Sequence, residues 1–267
     1  MAVGLSVYWC GAKVDGLIVK QPGQLFVDCR RFRRSICKID GGWLLPVRVF
    51  EEESSLFLGN QTTSTGKTRI QRANERKIID AAIELFGRHG LRGTTLDQIA
   101  TRAELSKPNL LYYFSSKQEL YVVALGYVLD WWLLPLEALD PEGSPRDELG
   151  KYIDQKMQMS RDFPQASRMY AMEVIDGAKI LMPLLETRLA DATKVKKRVL
   201  AKWMREGKIK KVDGFHLLFM IWATTQHYAD FEVQIDSLTG KTLQNDTFYK
   251  NAQSAVKDII FGGICND

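Results

Sequence analysis

Apolar positions recur at helical spacing through the second quarter of the chain. Ile78, Ile79, Ala82, Ile83, Leu85 and Phe86 form one stripe, while Arg72, Arg76, Lys77 and Arg88 lie largely off it. This predicts a helix over 70–89, closed by Gly90 at the C′ position. A second stripe, Leu96, Ile99, Ala100 and Ala103, predicts a helix from Thr95 to Ala103. Thr95 with Gln98 three residues on is a capping-box pattern that sets its start. Glu104 and Leu105 then make a short turn. Ser106 is a good N-cap for a helix running to about Tyr113, with Pro108 tolerated in the first turn. Ser115 or Ser116 caps the next helix, and Glu119 falls in its first turn.

That next helix is expected over 116–139, with Tyr121, Val122, Leu125, Val128, Leu129, Trp132 and Leu136 apolar and Pro135 kinking or ending it. DPEGSP at 140–145 reads as a loop. Three helices follow: about 146–161, one from Phe163-Pro164, and about 181–206, whose Lys194, Lys196, Lys197 and Arg198 read as a solvated face. Residues 213–236 read as one helix, apolar on more than one side. Phe215, Phe219, Trp222, Gln226 and Ala229 share a face suited to lining an interior. Met220, Ala223, His227 and Phe231 share another, suited to a partner subunit. The final helix, about 246–263, carries Phe248, Ala252, Ala255, Val256, Ile259 and Ile260. Together the last two could form a four-helix interface with their twofold mates. The expected fold is all-α, a three-helix head on a helical body.

Residues 1–65 differ. They hold seven of the 20 glycines and three of the four cysteines, with a basic run at Arg30–Arg34 and no sustained helical period. Short β-like runs occur at 17–19 and 44–49. This segment reads as an atypical extension, either a flexible tail or a product of gene-start assignment, with a small β element as the alternative.

Charge changes the picture more than composition does. The chain of 267 residues is 45% apolar and 26% charged, normal for a soluble globular protein large enough for two modest domains. Its net charge is +5, and residues 66–117 alone carry ten Lys/Arg against five Asp/Glu. The excess sits on the segment that holds the two short helices, where phosphate attraction would need it. Lys67 and Arg69, just ahead of the first helix, could lie along a nucleic-acid backbone. Cys10, Cys29, Cys37 and Cys265 form no CxxC pair, so neither zinc nor disulfides are expected. No nucleophile–base–acid set and no Gly-rich phosphate loop appear, so no catalytic residue, metal or cofactor is assigned. No apolar run is long enough to span a bilayer and no secretory signal is visible, so a cytoplasmic location is expected.

Two short helices joined by a tight turn can set the second into a DNA major groove, but an ordinary helical hairpin has the same spacing. The residue identities add more. Leu91, Thr94, Ile99, Ala100, Ser106, Leu110-Leu111-Tyr112-Tyr113-Phe114, Ser116-Lys117 and Leu120 closely resemble the DNA-binding domain of the TetR family of repressors. Glu104-Leu105 departs mildly from the family's small residue followed by Val. The resemblance implies a head over 66–118, a ligand-binding and dimerisation body over 119–267, and a homodimer on an inverted-repeat double-stranded DNA operator. It places Thr94, Thr95, Ser106, Lys107, Pro108, Asn109, Leu110, Tyr112, Tyr113 and Lys117 at the DNA. Lys107 and Asn109 are the candidates for base edges, and Thr94, Thr95, Tyr112 and Lys117 for phosphate.

In the body, LDWWLLPL at 129–136, RDFPQASRMYAMEV at 161–174 and FMIWATTQHYADF at 219–231 resemble the pyrimidine-utilisation regulators of that family, which sense uracil or thymine. By position, Trp132, Trp222 and Gln226 match residues that contact pyrimidine there. The chemistry suits such a ligand: indole faces stack on a flat neutral ring, and a Gln amide offers a donor and an acceptor to its N–H/C=O edge. From spacing alone, two core tryptophans and a satisfied buried amide fit as well. His227 reads as a structural residue. A family regulator for a lipid or drug, and a ligand-independent DNA binder, remain as alternatives.

Overall fold

The computed structural model describes residues 68–265 and, ahead of them, residues 8–9, 12–13, 37–39 and 42–44. The chain divides into two units, residues 1–64 and 65–267. In the first, Tyr8–Trp9 pairs antiparallel with Ala12–Lys13, and Cys37–Ile39 with Gly42–Leu44. The expected run at 17–19, most of that at 44–49, the basic run at 30–34 and Lys67 lie outside the described residues.

The described part of the second unit is all-α. Helix α1 (Arg69–Gly93) opens on a Thr68 capping box with Gln71. Gly90 adopts φ +68° inside it, so the expected stop is instead a break after which the chain makes one more turn. Helix α2 (Leu96–Arg102) has the Thr95/Gln98 capping box, and α3 (Lys107–Tyr113) has Ser106 as its N-cap. Between them Glu104 takes φ +58°, the left-handed residue that makes the turn.

Helix α4 (Lys117–Glu137), N-capped by Ser116, runs through Pro135 for two more residues. It is long and apolar enough to cross a membrane, but Leu120, Ala124, Leu125, Val128, Leu129 and Leu136 are buried in the protein's own core. Helices α5 (Pro145–Asp162) and α6 (Pro164–Ile175) follow, both with Pro in the first turn. A short turn at Met182–Leu184 and a π-helical turn at Leu185–Leu189 lead into α7 (Ala190–Arg205). Lys196 is not on the solvated face expected for it. Its side chain is buried and donates to the carbonyls of Glu137 and Leu139, satisfying the C-terminal end of α4.

The helix expected over 213–236 is two: α8 (Gly214–Asp230) and α9 (Glu232–Thr239), broken where Phe231 leaves the helical region at φ −113°, ψ 30°. Helix α10 (Asp246–Ile264) closes the fold. The buried stripe of α8 is Leu217, Leu218, Ile221, Thr225 and Ala229. Phe215 and Phe219, expected to line the interior, are instead substantially exposed, as are Met220, Ala223, His227 and Phe231. On α10, Ala255 and Ile259 are exposed too. The exposed apolar part of α8 is therefore wider than the single face expected to meet a partner.

Candidate DNA interface and effector site

The head is built on Phe86, Ile99, Leu110 and Phe114, which fill the space between α1, α2, α3 and the start of α4. Phe86 meets Tyr121 of α4 edge-to-face at 4.9 Å, tying this core to the body. With Leu110 turned inward, α3 presents Lys107, Pro108, Asn109, Leu111 and Tyr112 outward. Its N-terminus presents an exposed ammonium and an exposed carboxamide, while the Asn109 amide is taken by the Ser106 hydroxyl and Pro108 has no N–H.

The candidate DNA residues separate into three groups. Thr95, Ser106, Lys107, Pro108, Asn109 and Tyr112 are exposed. Tyr113 and Lys117 are half-buried and work inside the head: Tyr113 accepts from Asn74 at 3.4 Å, and Lys117 donates to the Thr94 carbonyl at 2.8 Å. Thr94 and Leu110 are corrections. Thr94 is fully buried, and its hydroxyl donates to the Gly90 carbonyl at 2.8 Å, with the Leu85 carbonyl at 3.2 Å. It pins the break at Gly90 and has no side-chain surface to give to a phosphate. Leu110 is likewise fully buried and belongs to the core.

Two head contacts were not legible from local patterns. Asp97 of α2 pairs with Lys107 at 2.8 Å, and Gln71 of α1 donates to the Tyr112 hydroxyl at 3.1 Å. Both partners are distant in sequence, so no helical spacing signals them.

In the body, α4, α5, α6 and α8 meet along one seam. Trp132 is nearly buried, with Tyr170 of α6 tilted against it at 4.8 Å. Trp222 donates its indole N–H to the Tyr152 hydroxyl at 2.7 Å, which fixes the indole while leaving its faces to other groups. Burial raises the phenols of Tyr152 and Tyr170, the latter to about 12, so both remain neutral hydroxyls. Ser160 donates to the Thr225 carbonyl at 2.9 Å, locking α5 to α8. Gln226 is half-buried one turn from both Trp222 and Asp230. Ser167 of α6 donates to Asp230 at 2.5 Å, and burial raises that carboxyl against the pull of Lys156, Arg168 and His227. Sequence reasoning missed Lys156, Tyr152, Tyr170 and Asp230, which share this seam. A shallow recess lined by Ala201, Met204, Arg205, Lys211, Val212 and Asp213 includes none of them.

Helix α6 also reaches the head. Gln165 in its first turn packs on Gly87 of α1, and Glu173 near its end accepts from Tyr121 of α4 at 3.2 Å. Arg76 of α1 bonds to the Tyr127 hydroxyl and lies over that ring at 4.7 Å. Movement at Trp132 or Tyr170 therefore has a packed route to the helices that carry α3.

A helix-turn-helix head joined to a helical body is the architecture of a DNA-binding transcription regulator. Comparison with known proteins agrees. The profile of bacterial regulatory proteins of the tetR family matches residues 78–124, and that of the YcdC-like protein C-terminal region matches 125–267. The HTH-type transcriptional regulator RutR of Escherichia coli K12 is 44% identical over 202 residues, covering 75% of this chain and 95% of RutR. RutR of Shigella flexneri matches equally. Among solved structures, a TetR family regulator from Marinobacter aquaeolei VT8 superposes with a TM-score of 0.58 at 17% identity, covering 74% of this chain and 99% of that one. The ketosteroid regulator KstR2 of Mycobacterium tuberculosis gives 0.55 at 21% identity, covering 76% and 98%. The chain belongs to the TetR family of transcriptional regulators and is related to RutR. Its fold and relatives are those of transcription regulators, not of enzymes.

Proposed function

We propose that the chain is a homodimeric repressor of pyrimidine-utilisation genes whose hold on an inverted-repeat operator is released by uracil or thymine. What supports the reading is the 44% identity to RutR, in a chain whose Trp132 and Trp222 both reach α5, at Lys156 and Tyr152. Residues 66–118 form the DNA-binding head, residues 119–267 the sensing and dimerising body, and the protein works in the cytoplasm. The two α3 helices of the dimer enter successive major grooves, about 34 Å apart or slightly more. Lys107 and Asn109 meet base edges. Thr95 and Tyr112 meet phosphate, and the Lys117 ammonium, held on the Thr94 carbonyl, adds positive charge behind them. The exposed apolar band of α8 with Ala255 and Ile259 of α10 forms the twofold interface.

Ligand binding shifts α4 and α6, changes the head spacing and weakens operator binding. A usable switch needs the ligand to prefer the released state by about 1–3 kcal/mol.

The test is a titration of the protein with uracil, thymine and cytosine, followed by tryptophan fluorescence. Saturable quenching by uracil or thymine, absent with cytosine and abolished in Gln226→Ala, is the expected result. No response at millimolar uracil or thymine would leave the regulator fold standing and remove the pyrimidine effector, favouring a different small molecule.

A further inference from the structure

Lys156 is a charged side chain in a place that gives it almost nothing. It lies on the inner face of α5 with 3% of its surface exposed; among the described residues its ammonium donates no hydrogen bond, and since no sealed-off side-chain polar atom lacks a partner, the nitrogen keeps a narrow opening out of the core. Its main contact is the Trp132 ring, 4.1 Å from the nitrogen. The charged groups around it do not supply a partner. Asp230 faces it from α8 but is already bonded to Ser167, with Arg168 of α6 and His227 of α8 flanking that carboxyl. From α4 it meets Trp132, whose other neighbour is Tyr170 of α6. Helix α10 packs on the opposite side of α5, where Lys257 is tied to Asp154.

A cation–π contact returns only part of what a buried ammonium loses in hydration. Burial accordingly pulls this amine down to about 7, with Asp230 resisting. A structural lysine would be satisfied by carbonyls, as Lys196 is at the end of α4. Lys156 instead ends over the ring of Trp132, which Tyr170 flanks.

We propose that Lys156 reads the oxygen of the ligand. A flat cyclic imide or ureide that lies against Trp132 takes the ammonium off the indole face and accepts its hydrogen bond at a ring carbonyl, while Gln226 meets the N–H/C=O edge. This rests on the pyrimidine-sensor reading and adds the residue that sets its preference for a carbonyl-bearing ring. It has a consequence that a merely structural lysine lacks. A neutral carbonyl accepts only from an N–H, and accepts best from the protonated amine. Binding therefore raises the amine's pKa, takes up protons at and above about pH 7, and weakens as pH rises further.

The experiment compares wild type with Lys156→Met, using uracil and thymine as probes. Affinity is read by tryptophan fluorescence between about pH 6.5 and 8.5, and proton uptake by calorimetry in buffers of different ionisation heat. Methionine keeps the length of the side chain and removes the buried charge, so the variant should fold and melt higher than wild type. The expected result is a roughly ten- to hundredfold loss of uracil affinity at pH 7. Proton uptake should be present in wild type and absent from the variant. Uracil binding of unchanged strength in Lys156→Met would overturn the inference while leaving the pyrimidine reading intact. Wild-type affinity flat across that pH range, with no proton uptake, would overturn it even if the variant failed to fold. No binding of either pyrimidine by wild type would remove both.

Discussion

Gly87 of α1 and Gln165 of α6 touch backbone to backbone: a Cβ on Gly87 would come within 2.2 Å of the Gln165 carbonyl oxygen. This is where the head rests on the body, and only glycine allows it. In a free helix, Gly→Ala stabilises by about 1 kcal/mol. Here the added methyl meets backbone that cannot rotate away, and overpacking costs about 1–3 kcal/mol. Gly87→Ala is expected to lower the melting temperature and to weaken the response of operator binding to effector. A raised melting temperature with normal response would mean that the two helices part freely.

Thr94 and Asn109 should separate folding from recognition. Thr94→Val removes a buried hydroxyl bonded to the Gly90 carbonyl, and is expected to cost about 1 kcal/mol in a denaturant melt. Asn109→Ala changes an exposed side chain and should leave stability within about 0.5 kcal/mol. Its operator affinity should fall about tenfold. Equal effects of both variants on DNA binding alone would return Thr94 to the interface.

The Asp97–Lys107 pair is solvent-exposed on both sides, so it adds at most about 1 kcal/mol to stability. Its larger effect is electrostatic: it places a carboxylate beside the α3 N-terminus and occupies the ammonium proposed to read base edges. Asp97→Asn is expected to tighten operator binding several-fold at low salt, measured by fluorescence anisotropy, with the melting temperature unchanged. Weaker binding would show instead that Asp97 holds Lys107 in its reading position.

On α10, Ile259 is 69% exposed in the single chain, and on α8 Met220 is 53% exposed. Apolar side chains this exposed on two adjoining helices fit an interface between copies. Ile259→Asp is expected to shift the protein from dimer to monomer in sedimentation velocity at micromolar concentration, and to abolish operator binding. A dimer that persists through Ile259→Asp and Met220→Lys would place the twofold elsewhere.

The local chemistry of the head was readable in advance because its signals are short-range. The Thr95/Gln98 capping box and the Ser106 and Ser116 caps all form where residue type and spacing placed them. What failed depends on tertiary reach. Lys196 reads as solvated by helical position, yet its four-carbon stem carries the ammonium to the end of α4. Phe231 sits in an unbroken apolar–polar pattern, and nothing local announces that α8 stops there. Thr94 and Leu110 took a role from the family pattern, while burial gives their side chains to the core. Trp132, Trp222 and Gln226 were visible individually. Lys156 was not, because a lysine among the many polar positions of α5 has no pattern that distinguishes an inward side chain from an outward one.

The most direct measurement is operator release. The protein is bound to the DNA it selects from a random pool, and labelled duplex is followed as uracil, thymine or cytosine is added. Release by uracil or thymine at concentrations that quench tryptophan fluorescence, with none by cytosine, is the expected result. Tight uracil binding that leaves the DNA complex intact, or release by all three bases alike, would contradict a pyrimidine-released repressor.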